Sequence, residues 1–270
     1  ANVTYRFIEE PATRVAELQA GRVDIAAAIP VAQAATVKND AKLSLQAVPS
    51  PTVQALRLNV SHAPTSDLRV RQALNYAVDK DAIIKSILQG YASPISAMQS
   101  SKSFGFDPNL KSYPYDPAKA RALLAAAGVK PGTSIGVDFI GTDAVFREVA
   151  QAVAGFFQAV GLKADLKTYE TNTFYSDIIP KNQTGNAYQM GWGGWTFDFD
   201  NTAYLLYHSG QFWNPDLKSK PLDALLAAAR TGAATSVNRE AIQTLPTISR
   251  TIQDFTRLTP QASSGGSFAG

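Results

Sequence analysis

Apolar and polar positions in the first fifty residues switch between two periods. Val3, Tyr5 and Phe7 alternate with Thr4 and Arg6, which predicts a strand over residues 3–8. Pro11 then suits the first turn of a helix, Val15, Ala16 and Leu18 supply its apolar stripe, and Gly21 supplies the stop. The run 23–29 reads as a buried strand, a short helix reaches Lys38, and 43–48 returns as a strand. Pro49-Ser50-Pro51 breaks the pattern and is the boundary candidate of the first third.

Alternation resumes over residues 53–60, a half-buried strand. Asp67 is placed to cap a helix carrying Val70, Ala73, Leu74 and Ala77 on one face. Asp79 opens a second helix with Ile83, Ile84, Ile87 and Leu88 inward, closed by Gly90. Prolines and serines make residues 91–114 a long loop. Asp116 and Pro117 then start a helix striped by Ala120, Leu123, Leu124 and Ala127 and ended by Gly128. Strands are expected at 135–140, 162–169 and 187–192, and helices at 144–160, 174–179 and 221–230. A helical period over 238–254 is interrupted by Pro246, and 261–270 is a Ser/Gly-rich tail. Strands alternating with helices predict an α/β fold with a largely parallel sheet.

Composition narrows the function more than the fold. With 45% hydrophobic and 17% charged residues among 270, the chain is a globular protein and not a disordered one. No stretch approaches the roughly 20 apolar residues that span a bilayer, so direct membrane insertion is not expected. The chain opens straight into a strand pattern with no signal peptide, so the numbering starts at a mature terminus or inside a longer chain. Cysteine is absent, which removes disulfides, thiolate metal sites and cysteine nucleophiles. The net charge of +3 comes from Lys and Arg scattered singly, without the basic stripe that nucleic acid requires.

Residues 59–90 carry a more specific signal. Asn59, Pro64 and the run from Asp67 through Arg71-Gln72-Ala73-Leu74-Asn75-Tyr76-Ala77 to Ile84 resemble the family 5 extracellular solute-binding proteins, receptors of bacterial ABC importers. Tyr115-Asp116-Pro117-Ala118-Lys119-Ala120 with Leu123-Leu124 is a second similar block. Met190-Gly191-Trp192 with Asp198 and Asp200-Asn201 is a third, and Asn238-Arg239 leading to Asp254 a weaker fourth.

The resemblance implies a periplasmic-binding-protein type II-like fold, mostly the second lobe of a clamshell with a remnant of the first. Residues 1–50 would be that remnant, 51–260 the ligand-binding lobe and 261–270 a flexible tail. It implies reversible binding of a small solute such as a peptide or oligosaccharide, delivery to a membrane permease, and a periplasmic or extracellular location, with a lipid anchor left open. It implies no cofactor, no metal and no catalysis. Peptide receptors of the family hold the ligand ammonium with an aspartate just after the block matching Gly191-Trp192. Trp195 aligns there and cannot neutralise an ammonium as a carboxylate does. It offers a cation–π face or a stacking face for a sugar ring instead, and so counts against a peptide ligand.

The expected ligand residues are Trp192, Gly194, Trp195, Phe197, Asp198 and Arg147. The segment 193–200 directly follows a strand, where open α/β sheets bind ligands; its glycines allow close backbone approach and its aromatics offer flat apolar area. The alternative is that these aromatics cover the sheet edge, and that Asp200 caps a helix beginning at Asn201. Gly141-Thr142-Asp143 with Arg147 follows another strand and suits an anionic group, or is an ordinary helix start capped by Asp143. The rival functions are an α/β hydrolase using Asp198 or Asp200 with His208, and a fragment without an independent role.

Overall fold

A computed structural model describes residues 2–103, 106–193 and 199–230. The chain divides into two compact units, one of residues up to Val48 with Ile84–Ser93, the other of Pro49–Ile83 with the chain from Pro94 onward.

The first unit is built on two short helices. Pro11 starts α1 (Pro11–Gln19), and the Glu10 carboxylate accepts from the Thr13 N–H at 2.6 Å to cap it. In α2 (Val31–Lys38), Ala34 and Val37 are buried, as is Val15 of α1. Arg14 donates to the carbonyls of Ile8, Glu9 and Ala28 and so ties α1 to two further chain segments. The segments 3–8, 23–29 and 43–48, expected as strands, form no strand among the described residues, and the second bends at Asp24 and at Ala28, whose φ is 53°. The apolar positions are not turned to a common interior: Val3, Tyr5 and Phe7 are all exposed, Phe7 by 95%, and so are Thr4 and Arg6 between them. A strand also requires neighbouring backbone to take its N–H and C=O groups, and none of the described residues supplies it.

The second unit holds a four-stranded sheet in the order β1-β4-β2-β3, with β1 Thr52–Leu58, β2 Ser134–Ile140, β3 Lys163–Tyr169 and β4 Ala187–Gly193. β2 pairs in parallel with β3 and β4, whereas β1 runs antiparallel to β4, with Val53 opposite Trp192. The sheet is therefore mixed at one edge. Burial follows position: Ala187, Tyr188, Gln189 and Met190 of interior β4 are all buried, while edge strand β3 exposes Lys163 and Lys167.

Helices α3 (Leu68–Ala77), α4 (Lys80–Ser86), α5 (Pro117–Ala126), α6 (Ala144–Ala159), α8 (Phe199–Tyr207) and α9 (Lys220–Arg230) complete the layers. A turn α7 (Thr171–Thr173) runs on into a π-helical turn at Phe174–Ile178. The caps read from sequence are in place, Asp67 on the Arg69 N–H at 2.7 Å and Asp116 on Lys119 at 2.8 Å. α6 buries Phe146, Ala150, Val153 and Phe157 at helical spacing, and Phe139 of β2 joins Phe146 and Ala150 in one apolar cluster. A second cluster contains Val53, Ile140, Phe174, Ile179, Tyr188, Met190, Trp192 and Leu206. α8 begins at Phe199, so Asp200 lies inside its first turn and not at its cap.

Candidate ligand-binding edge of the sheet

Because β2, β3 and β4 run parallel, Ile140, Tyr169 and Gly193 end at one edge of the sheet. Backbone groups and side chains that leave strand ends at such an edge have no sheet to pair with, which makes it the usual ligand position in open α/β sheets. β1 and β4 approach very closely at this end. A Cβ on Gly193 would lie 2.4 Å from the Thr52 Cα, so only glycine fits opposite Thr52.

The turn after β2 is held from both sides. One Asp143 oxygen accepts from the Phe146 N–H at 2.9 Å and caps α6; the other accepts from Gln189 Nε2 at 2.9 Å. The same Gln189 amide, buried on β4, accepts from the Ile140 N–H at 2.9 Å. Gln189 thus locks β4 to the β2–α6 turn. Arg147 is exposed, one turn into α6, and its guanidinium donates to the Gly141 carbonyl.

The other side of the edge is aromatic. Trp192 is 5% exposed; its indole N–H donates to Thr202 Oγ1 at 3.1 Å, and its ring meets Trp213 edge-on at 6.0 Å. Trp213 also meets Tyr175 at 5.9 Å and Phe212 at 4.8 Å, both near-perpendicular. Phe174 stacks on Tyr169 at 5.4 Å and touches Tyr175 edge-on. Burial raises the Tyr175 phenol above its ordinary value, partly offset by the Gly191 N–H bonded to its oxygen, so it is neutral at physiological pH.

Of the residues expected to bind ligand, Trp192 and Arg147 are brought to this edge, Trp192 as part of the apolar core. Gly194, Trp195, Phe197 and Asp198 lie outside the described residues. Asp143 has the capping role of the ordinary reading. The aromatic side made by Tyr169, Phe174, Tyr175, Phe212 and Trp213 was not legible in the sequence, because it joins residues up to 44 positions apart that no single motif contains. The pair Phe212-Trp213 was the only local signal, in a segment without helical or strand period.

Of the residues named for a hydrolase, Asp198 lies outside the described residues, whereas the surroundings of His208 are described. His208 directly follows α8, stacks on Tyr204 at 4.4 Å, and places Nδ1 2.7 Å from the Ser209 carbonyl and 4.0 Å from Asp223. Among the described residues no group of three His, Cys, Asp or Glu side chains is arranged to hold a metal ion, and no helix is long and apolar enough to cross a membrane.

Comparison with known proteins gives this edge a context. The family model for the middle part of the bacterial extracellular solute-binding proteins, family 5, matches residues 1–214. The glutathione-binding protein GsiB of Escherichia coli O1:K1 is 30% identical over 236 residues, 84% of this chain and 46% of the relative. NikZ from Campylobacter jejuni, solved in complex with Ni(L-His), is 27% identical with a TM-score of 0.71, over 92% of this chain and 50% of its own. DppA from Helicobacter pylori, solved with the peptide STSA, shares the fold at 20% identity and a TM-score of 0.75, over 95% of this chain and 49% of its own. The chain spans about half the length of these relatives. On the match over residues 1–214, the chain belongs to the bacterial extracellular solute-binding proteins, family 5.

Proposed function

We propose that this chain is the larger part of the second lobe, with a remnant of the first, of the substrate-binding component of a bacterial ABC importer. It binds a small solute reversibly outside the cytoplasmic membrane and presents it to a permease. The family match over residues 1–214 carries the reading, and the aromatic, glycine-tight carboxyl edge of the sheet supports it. The lobe assignment is supported by the exposed alternation of Val3, Tyr5 and Phe7, apolar positions in want of a neighbouring strand. The ligand set is Trp192, Gly194, Trp195, Phe197, Asp198 and Arg147, and the solute is a peptide, an oligosaccharide or a compound of similar size. Relatives named for glutathione, the peptide STSA and Ni(L-His) favour amino-acid-derived solutes.

Binding in such receptors is shared between lobes, and closure excludes water from the ligand. The 270-residue chain alone therefore binds weakly. Isothermal titration of this chain with glutathione and with a serine/threonine tetrapeptide is expected to give dissociation constants weaker than about 1 mM. The natural polypeptide that contains it should bind one of them at least about a hundredfold more tightly. Micromolar binding by the 270-residue chain alone would falsify the lobe assignment.

A further inference from the structure

The segment after α8 is fastened in an unusual way. Arg57 of β1 donates through Nη1 to the Trp213 carbonyl at 2.6 Å, and through Nη2 to Asn214 Oδ1 and Asp216 Oδ1, each at 2.9 Å. The other Asp216 oxygen accepts from the Val60 N–H at 2.9 Å. Asn214 in turn donates to the carbonyls of Tyr207 and Leu217 at 2.9 Å. The ion pair is dry: the side chains of Arg57 and Asp216 are 10% and 1% exposed. The guanidinium also lies within 6.0 Å of the centres of the Tyr188 and Tyr207 rings. A buried ion pair adds little net stability over well-packed apolar side chains, whereas its directional bonds fix geometry. Here those bonds end on the backbone of Trp213 and Val60, so what they fix is the path of the segment 213–216.

That segment presents Phe212 and Trp213 beside the end of β4. Trp213 is half-buried against Trp192 and Tyr175, and Phe212 stands perpendicular to it at 4.8 Å while remaining 55% exposed. A phenyl ring held in place yet left in water is poorly used as core. The ion pair that fastens the segment is internally neutralised, so the surface offered is an apolar, uncharged corner with the exposed Phe212 face on one side.

We propose that Phe212 and Trp213 form a stacking ledge for an aromatic side chain of the bound solute, and that Arg57 is the positioning residue that holds the ledge against the sheet edge. The inference rests on the receptor reading above and narrows its solute class to amino-acid-derived compounds bearing a ring. Stacking of this kind is sensitive to ring placement and contributes about tenfold in affinity.

The test is isothermal titration of the natural polypeptide containing this chain with Ala-Phe-Ala, Ala-Ala-Ala and glutathione. Ala-Phe-Ala is expected to bind at least about tenfold more tightly than Ala-Ala-Ala. Phe212→Ala, which removes an exposed ring and leaves the core intact, should bring the two tripeptides within about twofold. Arg57→Lys, which keeps the charge but loses the fork, should narrow the gap in the same direction. Equal affinities for the tripeptides, or a gap that survives Phe212→Ala, overturns the ledge and leaves the receptor reading standing. A gap that survives Arg57→Lys with only a lower melting temperature overturns the positioning role. Failure of all three solutes to bind a polypeptide with native circular dichroism overturns the narrowing to amino-acid-derived solutes and the ledge with it.

Discussion

The two units contain segments of nearly equal strand character with opposite fates. Val3-Thr4-Tyr5-Arg6-Phe7 alternates as cleanly as any stretch of the chain, yet its apolar side chains are exposed and its backbone is unpaired among the described residues. Ile135-Gly136-Val137-Asp138-Phe139 alternates no better and is buried on both sides, because β3 and β4 flank it and α6 covers it. Periodicity states which face a strand would turn inward. Whether an inside exists depends on residues elsewhere in the chain.

Matched substitutions sharpen the contrast, and the phenylalanines give the widest gap. Phe139→Ala, at a residue 2% exposed, should lower unfolding free energy by about 3–5 kcal/mol in urea titration. Phe7→Ala in the same chain should change it by less than about 0.5 kcal/mol. If a neighbouring strand covers Phe7 in a longer natural polypeptide, the same substitution there becomes costly.

The arginines come next. Arg57→Ala strands the Asp216 carboxylate in the interior and should cost about 3 kcal/mol, read as a lower urea midpoint. Arg22 also pairs with a carboxylate, Glu17 at 2.7 Å, but on the surface of the first unit. Arg22→Ala should leave the midpoint almost unmoved, and what effect it has should vanish in high salt.

A smaller loss is expected at the β2–α6 turn. Asp143→Ala removes both the α6 cap and the partner of the buried Gln189 amide, and should cost about 1–2 kcal/mol in thermal unfolding. Asp143→Asn retains the acceptor for Phe146 and should recover part of that loss.

The smallest effect is a slope with pH. Burial raises the Asp138 carboxyl above the ordinary value of 3.8, against the bonds from the Gly185 N–H and Tyr169 and the nearby Lys167 charge. In the window between 3.8 and the raised value the folded state holds a proton that the unfolded state has released. Stability from this group therefore falls as pH rises through that window. Asp138→Asn should flatten that part of the profile in urea midpoints measured from pH 4 to pH 7, while an unchanged slope would assign it to another group.

Local chemistry made much of the second unit readable in advance. The caps Asp67, Asp116 and Asp143, the helix expected at 144–160 and the four strands are all set within a few residues of where they act. The resemblance blocks at 59–90, 115–128 and 190–201 were legible for the same reason, and they identified the family. The aromatic side of the sheet edge was not, since Tyr175, Trp192 and Trp213 meet only after β4 has paired between β1 and β2. The Arg57–Asp216 pair is further out of reach, joining residues 159 positions apart.

The sequence by itself determined the helix caps at Asp67, Asp116 and Asp143, the strand periods, the absence of cysteine and the family, because each depends on residue type and short spacing. The tertiary structure alone decided which periodic segments became strands, that β1 runs antiparallel beside β4, and that an exposed phenylalanine stands on a segment bound by a buried ion pair. These depend on partners distant along the chain, and alternation carries no information about where such partners lie.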